Sequence, residues 1–138
     1  MVQKKKAKKI VDQMHENDAF SKWLGIQICE TNAGSCILKM TVRNEMLNGF
    51  HIAHGGITYS LADSALAFAS NGHGRQSVSI ETSISHLLPT KEGDLLIAQA
   101  NEIHCSNKVG IYDIRIENQD KQLVALFKGT VYRTSKHW

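Results

Sequence analysis

The sequence predicts an α+β fold in which one antiparallel sheet wraps around one central helix, with a further helix at the N-terminus. The apolar run from Ile57 to Ala69 is typical of a helix that is buried on most sides. Two strand-like segments precede this run and four follow it, and their short connections favour antiparallel neighbours. Because 138 residues suffice for one domain with its own core, we predict a single domain over residues 1–138.

Residues 1–20 predict a basic N-terminal helix whose apolar stripe contains Ile10, Val11 and Met14. Five lysines in this helix are among the 16 basic residues, against 13 acidic ones, so the net charge of +3 would be −2 without them. No nucleic-acid motif accompanies the lysines, and no apolar run approaches the ~20 residues of a membrane span. We therefore expect neither nucleic acid nor a membrane as a partner.

The other elements are predicted from alternation and turn residues. The clearest period-two pattern runs from Val78 to Leu88, and it predicts that every second residue from Val78 onward shares one face. The predicted helices are Lys4–Asn17 and Ile57–Ala69, and the predicted strands are Ile26–Thr31, Ser35–Val42, Val78–Leu88, Asp94–His104, Val109–Asn118 and Leu123–Arg133.

The stretch from Met46 to Asn71 contains the residues best suited to chemistry. It begins as a polar loop with Asn48 and His54, and the pair Gly55-Gly56 then opens the apolar helix. A glycine pair at a helix N-terminus leaves backbone N–H groups accessible to a ligand, and the helix dipole favours negative charge there. This pattern predicts a site at Gly55 for a ligand atom that carries negative charge, and a plain tight turn is the alternative.

Asp63 is the only charged residue between Glu45 and Arg75. An unpaired carboxylate inside an apolar helix is unfavourable, so Asp63 has either a hidden partner or a function. It is a candidate general base or nucleophile. The alternative is a structural carboxylate that is hydrogen-bonded to a backbone group.

The three cysteines are Cys29, Cys36 and Cys105, which show neither C-x-x-C nor metal-ligand spacing. We expect reduced thiols packed within strands. Reduced thiols are typical of the cytoplasm, so we also expect a cytoplasmic location. The basic N-terminus lacks the apolar segment of a signal peptide, and none is expected. The loop histidines and Asp63 are too loosely spaced to indicate a metal site, so no metal is predicted.

The element order and the loop-helix stretch together resemble the hotdog-fold acyl-CoA thioesterases, within them the PaaI-like branch linked to phenylacetate degradation. The resemblance spans roughly Leu24 to Arg133. The residues that carry it are Asn48-Gly49, His54-Gly55-Gly56, Leu61-Ala62-Asp63, the strand Val78–Leu88 ending at Pro89, and Gly93-Asp94.

The resemblance implies catalytic roles for particular residues. In such enzymes the residue at Gly55 donates its N–H to the thioester carbonyl, and the asparagine at Asn48 positions the water or the carbonyl. The aspartate at Asp63 is the nucleophile or general base. A hydroxyl residue at Ser79 supports the water or the aspartate.

The remaining candidates bind substrate or orient the loop. His54 either donates to the substrate or fixes the loop by a hydrogen bond. Gly56 is a second candidate for substrate binding, and Lys91 and Lys108 in strand turns are candidates for the phosphates of coenzyme A. At Leu88, many relatives place a basic residue.

We predict an acyl-CoA thioesterase that hydrolyses aryl-acetyl-CoA or short- and medium-chain acyl-CoA and needs no cofactor besides its substrate. Hotdog hydratases place a histidine five residues after the helix aspartate, where this chain has Phe68. The alternative is a non-catalytic acyl-CoA-binding or regulatory module on the same fold.

The spacing of Gly55 and Asp63 predicts a shared site. Eight residues apart on one helix, they lie ~12 Å apart along its axis, too far to act on one thioester. Either Asp63 is not catalytic, or it serves the Gly55 of a partner chain in a twofold dimer. Because the open edges of the sheet need cover, we expect at least a homodimer, and the resemblance implies a homotetramer.

Overall fold

The structure is a computed structural model that describes residues 1–138, and its core is a six-stranded antiparallel sheet around one helix. A short 3₁₀ turn, Asn44–Met46, precedes the central helix. The helices are α1 (Val2–Glu16), α2 (Ala19–Leu24) and α3 (Gly55–Asn71), and the strands are β1 (Gln27–Asn32), β2 (Ser35–Thr41), β3 (Arg75–His86), β4 (Leu95–Cys105), β5 (Val109–Glu117) and β6 (Leu123–His137).

The predicted fold class is confirmed. The strand order is β1-β2-β4-β5-β6-β3, so β1 and β3 form the two edges of the sheet. Helix α3 packs against the inner face of the sheet, with Leu61, Ala65 and Phe68 fully buried. Helix α1 packs onto β1 and α3 through Ala7 and Val11. No helix is both long enough and apolar enough to cross a membrane.

The predicted face of β3 is wrong for its first half. A bulge at Ile80 shifts the pairing with β6, so that Ser79 lies opposite the buried Val131. Residues paired across a ladder share one face of a sheet. Ser79 therefore lies on the side that faces α3, where it is exposed near the edge of the sheet, and Val78 and Ile80 are 56% and 61% exposed. The bulge inserts one residue and reverses the alternation that the sequence pattern suggests.

The second half of β3 agrees with the prediction. Thr82 and Ile84 pair with Gly129 and Phe127, whose face of β6 packs against α3. The hydroxyl oxygens of Thr82 and Tyr59 lie 2.6 Å apart, which joins β3 directly to α3.

A bulge also corrects the prediction for one cysteine. Cys29 lies where the β1–β2 register shifts, between Ile28 and Glu30, and its side chain is exposed. Cys36 is buried as predicted, and Cys105 is partly exposed.

Candidate active site

A cavity of about 290 Å³ lies at the N-terminal end of α3. The loop before α3 forms one wall, and it is held in place because the Ala53 N–H donates to the Thr90 carbonyl over 2.7 Å. The lining residues are Asn48, Ile52, Ala53, Gly55, Thr58, His86, Leu87, Leu88, Pro89 and Thr90.

The backbone N–H of Gly55 is free to bind a ligand. At the same helix end, the Gly56 N–H donates to His54 Nδ1 over 2.8 Å and the Ile57 N–H donates to the His54 carbonyl over 2.8 Å. The Gly55 N–H has no acceptor within the chain and lies at the cavity. A free N–H at the positive end of a helix suits an oxygen that carries or develops negative charge.

Asn48 combines a structural and a free group. Its Oδ1 accepts the Phe50 N–H over 2.9 Å, which closes the turn that the Asn-Gly pair predicts. Its amide nitrogen has no acceptor within the chain. Because an N–H donor requires an oxygen acceptor, the amide orientation is fixed, and two N–H groups of Asn48 remain available at the cavity.

The buried Thr90 hydroxyl is a site residue that the sequence analysis missed. Thr90 is 3% exposed and lines the cavity, and its Oγ1 is the one buried side-chain nitrogen or oxygen in the chain without a hydrogen-bond partner. An unpaired buried hydroxyl is unfavourable. It therefore marks a position where a bound water or ligand would complete the hydrogen bonding.

His86 is a second missed residue. The Thr58 hydroxyl donates to the Gly55 carbonyl over 3.0 Å, so it must accept at 3.2 Å from the Nδ1–H of His86. The other ring nitrogen, Nε2, lies over Gly55, and a Cβ at that position would be 3.2 Å from it. Only a residue without a side chain leaves His86 this position unhindered.

Asp63 lies on α3 but not at the cavity. Its carboxylate is half-buried and receives no hydrogen bond, and burial raises the pKa of the Asp63 carboxyl. Asp63 follows Tyr59 by four residues, so both face β3. Ser79 lies on the facing side of β3, toward the C-terminal half of α3.

The structure separates the other candidates. His54 and Gly56 hydrogen-bond to each other and do not line the cavity, which is the loop-fixing contact considered for His54. Lys91 is exposed and directly follows Thr90, but it does not line the cavity. Lys108 lies at the opposite end of the sheet, where its carbonyl accepts the Arg133 N–H.

Comparisons with known proteins cover most of the chain. Residues 50–125 match the model of the thioesterase superfamily. The acyl-coenzyme A thioesterase PaaI of Escherichia coli K12 is 44% identical over 120 residues, which are 87% of this chain and 86% of that protein.

Solved structures show the same architecture. That of the E. coli PaaI protein from the phenylacetic acid degradation operon has a TM-score of 0.95 at 41% identity, covering 97% of each chain. A Streptococcus mutans protein bound to acetyl CoA has a TM-score of 0.80 at 28% identity, covering 82% of this chain and 91% of that one. The sheet around α3 is thus the predicted hotdog fold.

Proposed function

Because the chain belongs to the thioesterase superfamily, we propose that it hydrolyses aryl-acetyl-CoA or short- and medium-chain acyl-CoA to the free acid and coenzyme A. The 44% identity to an acyl-CoA thioesterase supports the reaction class, and the similar protein bound to acetyl CoA supports the substrate class. Phenylacetate degradation is the proposed context, since the E. coli relative belongs to that operon.

The observation that carries this proposal is the free Gly55 N–H in the cavity. When water attacks a thioester, negative charge develops on the carbonyl oxygen. The Gly55 N–H stabilises that charge, and the loss of one such donor typically lowers the rate ~10²–10³-fold. The free amide nitrogen of Asn48 positions the attacking water or the carbonyl. The Thr90 hydroxyl, which has no partner within the chain, hydrogen-bonds to that same water or carbonyl.

The Asp63 carboxylate that activates the reaction comes from a partner subunit. Within one chain, Gly55 and Asp63 lie ~12 Å apart along α3, beyond the reach of an aspartate side chain. In a twofold dimer with antiparallel helices, the Gly55 of each chain faces the other chain's Asp63. His54 and Ser79 support the loop and the carboxylate in this site.

The open edge of β3 provides the dimer contact. β3 pairs only with β6, and its free edge carries the exposed Val78 and Ile80. Unprotected apolar edges pair readily with a second strand. We propose a homodimer through β3, and a homotetramer through the exposed Ile103 and Leu126 on the outer face of the sheet.

Two routes convert the same reactants into the same products. In the first, Asp63 takes a proton from water, the water oxygen bonds to the carbonyl carbon, the C–S bond breaks and the proton passes to the thiolate of coenzyme A. In the second, Asp63 attacks the carbonyl and expels the thiolate, and water then hydrolyses the anhydride. Labelling of the Asp63 carboxylate after a single turnover in ¹⁸O-water would establish the second route, because only there can water attack the Asp63 carbon of an anhydride.

Both parts of the substrate have matching surfaces. Ile52, Leu87 and Leu88 form an apolar wall for the acyl or pantetheine portion. The proposed contacts for the rest of coenzyme A are Lys91, which follows the cavity residue Thr90, Lys108 from a more distant turn, and the exposed Gly56. The chemistry requires no metal, and the proposed location is the cytoplasm.

Hydrolysis of an acyl-CoA panel tests the function. The purified protein with a strong chelator is given phenylacetyl-, acetyl-, butyryl- and octanoyl-CoA, and the free thiol is measured. We expect thiol release from at least one ester. Binding of these esters by calorimetry without thiol release would overturn the proposal and indicate the binding module instead.

A further inference from the structure

A second cluster of polar side chains lies at the other end of α3. His73 in the turn after the helix, Glu102 in β4 and Cys105 at the end of β4 place their nitrogen, oxygen and sulfur atoms within 4.8 Å of one another. The 17 residues of α3 span about 25 Å. The cluster is therefore separate from the cavity of its own chain.

A bulge in β4 brings two of these residues to one face. In a regular strand, residues three apart point to opposite faces. The register shifts at Ile103, so Glu102 pairs with Tyr112 and Cys105 pairs with Gly110, both on the inner face. Bulges commonly re-aim a side chain, and here the bulge turns the Cys105 thiol toward the Glu102 carboxylate.

The Glu102 carboxylate is oriented from two sides. His73 Nε2 lies 2.6 Å from Glu102 Oε1, and the hydroxyl of the buried Tyr112 donates to the same oxygen over 2.8 Å. Behind it, the turn glycine Gly34 has a φ of +88°, and a Cβ there would come within 3.2 Å of Glu102 Oε2. A carboxylate fixed by a buried hydroxyl is the arrangement that holds metal ligands in place.

We propose that His73, Glu102 and Cys105 bind one zinc ion, with water in the fourth position. Imidazole, carboxylate and thiolate are all zinc ligands, and a tetrahedral site separates its ligand atoms by about 3.3–3.6 Å. The contact between His73 and Glu102 must therefore open by less than about 1 Å. On binding, the Cys105 thiol gives its proton to solvent, and the two negative ligands balance the charge of the ion.

The guanidinium groups of Arg75 and Arg133 lie near Cys105 and have two opposing effects on metal binding. Burial raises the pKa of the Cys105 thiol, and the positive charges of Arg133 and Arg75 partly offset this effect but also oppose a cation. Both groups are already bound to carbonyl oxygens, Arg75 to that of Asn107 and Arg133 to that of Ser106. The bound ion would tie the end of α3 to β4, so its effect is on stability.

Cobalt(II) tests the site because it replaces zinc and reports its ligands by absorption. The full-length protein without a histidine tag is freed of metal and titrated with Co²⁺. We expect about one equivalent per chain, with a thiolate-to-cobalt charge-transfer band and the intense visible bands of tetrahedral coordination. Zinc should remove both bands and raise the melting temperature.

Variants identify the ligands. Cys105→Ser should abolish the charge-transfer band, and Glu102→Gln and Tyr112→Phe should each weaken cobalt binding by ~10-fold or more. Cys29→Ser, which removes the exposed thiol in β1, is the control and should bind as wild type does. Circular dichroism confirms that each variant is folded.

The site would be refuted in two ways. The wild-type protein could bind no cobalt at micromolar concentrations, or the band could persist in Cys105→Ser. Hydrolysis by Cys105→Ser is expected to be unchanged, so neither outcome depends on the proposed thioesterase activity.

Discussion

The hydroxyl oxygens of Tyr59 and Thr82 lie 2.6 Å apart and tie the middle of α3 to the middle of β3. Tyr59 follows Gly55 by four residues and precedes Asp63 by four. A twofold axis that crosses α3 at the height of Tyr59 therefore brings Gly55 of one chain to the same height as Asp63 of the other chain. The same axis passes near Thr82, so two β3 strands would pair along most of their length. The helix spacing and the open strand edge thus both favour the proposed dimer.

A lysine at the centre of the β3 edge should separate the dimer. Ile80→Lys places a charge on the strand where the partner strand would pair, and such charges block edge pairing. We expect the variant to be a folded monomer in light scattering at micromolar concentration and to hydrolyse thioesters at least ~10²-fold more slowly. Ile103→Lys is the matched control, since Ile103 is exposed to a similar extent, 60% against 61%, on the outer face of the sheet. It should remain at least a dimer with normal activity per chain.

Replacing the Asp63 carboxylate by an amide should stop the reaction without unfolding the protein. We expect kcat of Asp63→Asn to fall at least ~10²-fold, because an amide neither takes a proton nor attacks a carbonyl. Asp120→Asn, on an exposed turn, should keep full activity. Asp63→Asn protein that is folded and retains most of its kcat would remove Asp63 from the mechanism.

The same variant gives a stability prediction through the pKa of Asp63. Burial raises this pKa, so the folded state binds the proton more tightly than the unfolded state does. Proton binding by Asp63 therefore stabilises the folded state below the usual pKa of 3.8, and this stabilisation is lost as pH rises through the higher pKa that Asp63 has in the folded protein. Asp63→Asn should therefore raise the melting temperature at pH 7 but not below about pH 3.8. An equal shift at both pH values would contradict this cause.

Much of the site could be predicted because its signals are local. Asn48 and Gly55, which were predicted and do line the cavity, lie within one continuous stretch, and short connections determine the sheet pairing. His86 and Thr90 were missed because their importance depends on how β3 and the following turn lie against α3. The bulge at Ile80 was missed because nothing in the alternating residues interrupts the period-two pattern. The cluster of His73, Glu102 and Cys105 was missed because it depends on a second bulge, in β4, and on contacts from three separate segments.

The unpaired hydroxyl of Thr90 should matter for activity more than for folding. Thr90→Val keeps the shape of the side chain and replaces the buried, unsatisfied Oγ1 by a methyl group. We expect kcat/KM to fall by ~10-fold, equivalent to one hydrogen bond of about 1.4 kcal/mol, while the free energy of unfolding stays the same or rises. Thr134→Val, far from the cavity, removes a hydroxyl that donates to the Gln76 carbonyl. It should lower the free energy of unfolding and leave kcat/KM unchanged. Wild-type kcat/KM in Thr90→Val would exclude Thr90 from substrate or water binding.

The space between Gly55 and His86 should be needed for the reaction. Gly55→Ala keeps the backbone N–H but brings a Cβ to 3.2 Å from His86 Nε2, so the ring must move. We expect a folded protein with kcat lowered by ~10-fold or more, because small displacements at a reacting centre are costly. In the background His86→Ala, where the ring is absent, Gly55→Ala should have a clearly smaller effect. Equal effects in both backgrounds would show that the ring is not the cause.

Complementation between two inactive variants tests the shared site most directly. Asn48→Ala and Asp63→Ala should each be nearly inactive, because each removes one half of every site. Unfolded together in equal amounts and refolded, half of the dimers are mixed, and each mixed dimer has one intact site of two. Activity should return to about a quarter of that of refolded wild type. Each variant refolded alone is the control, and a mixture as inactive as these controls would show that Asn48 and Asp63 do not act across the dimer.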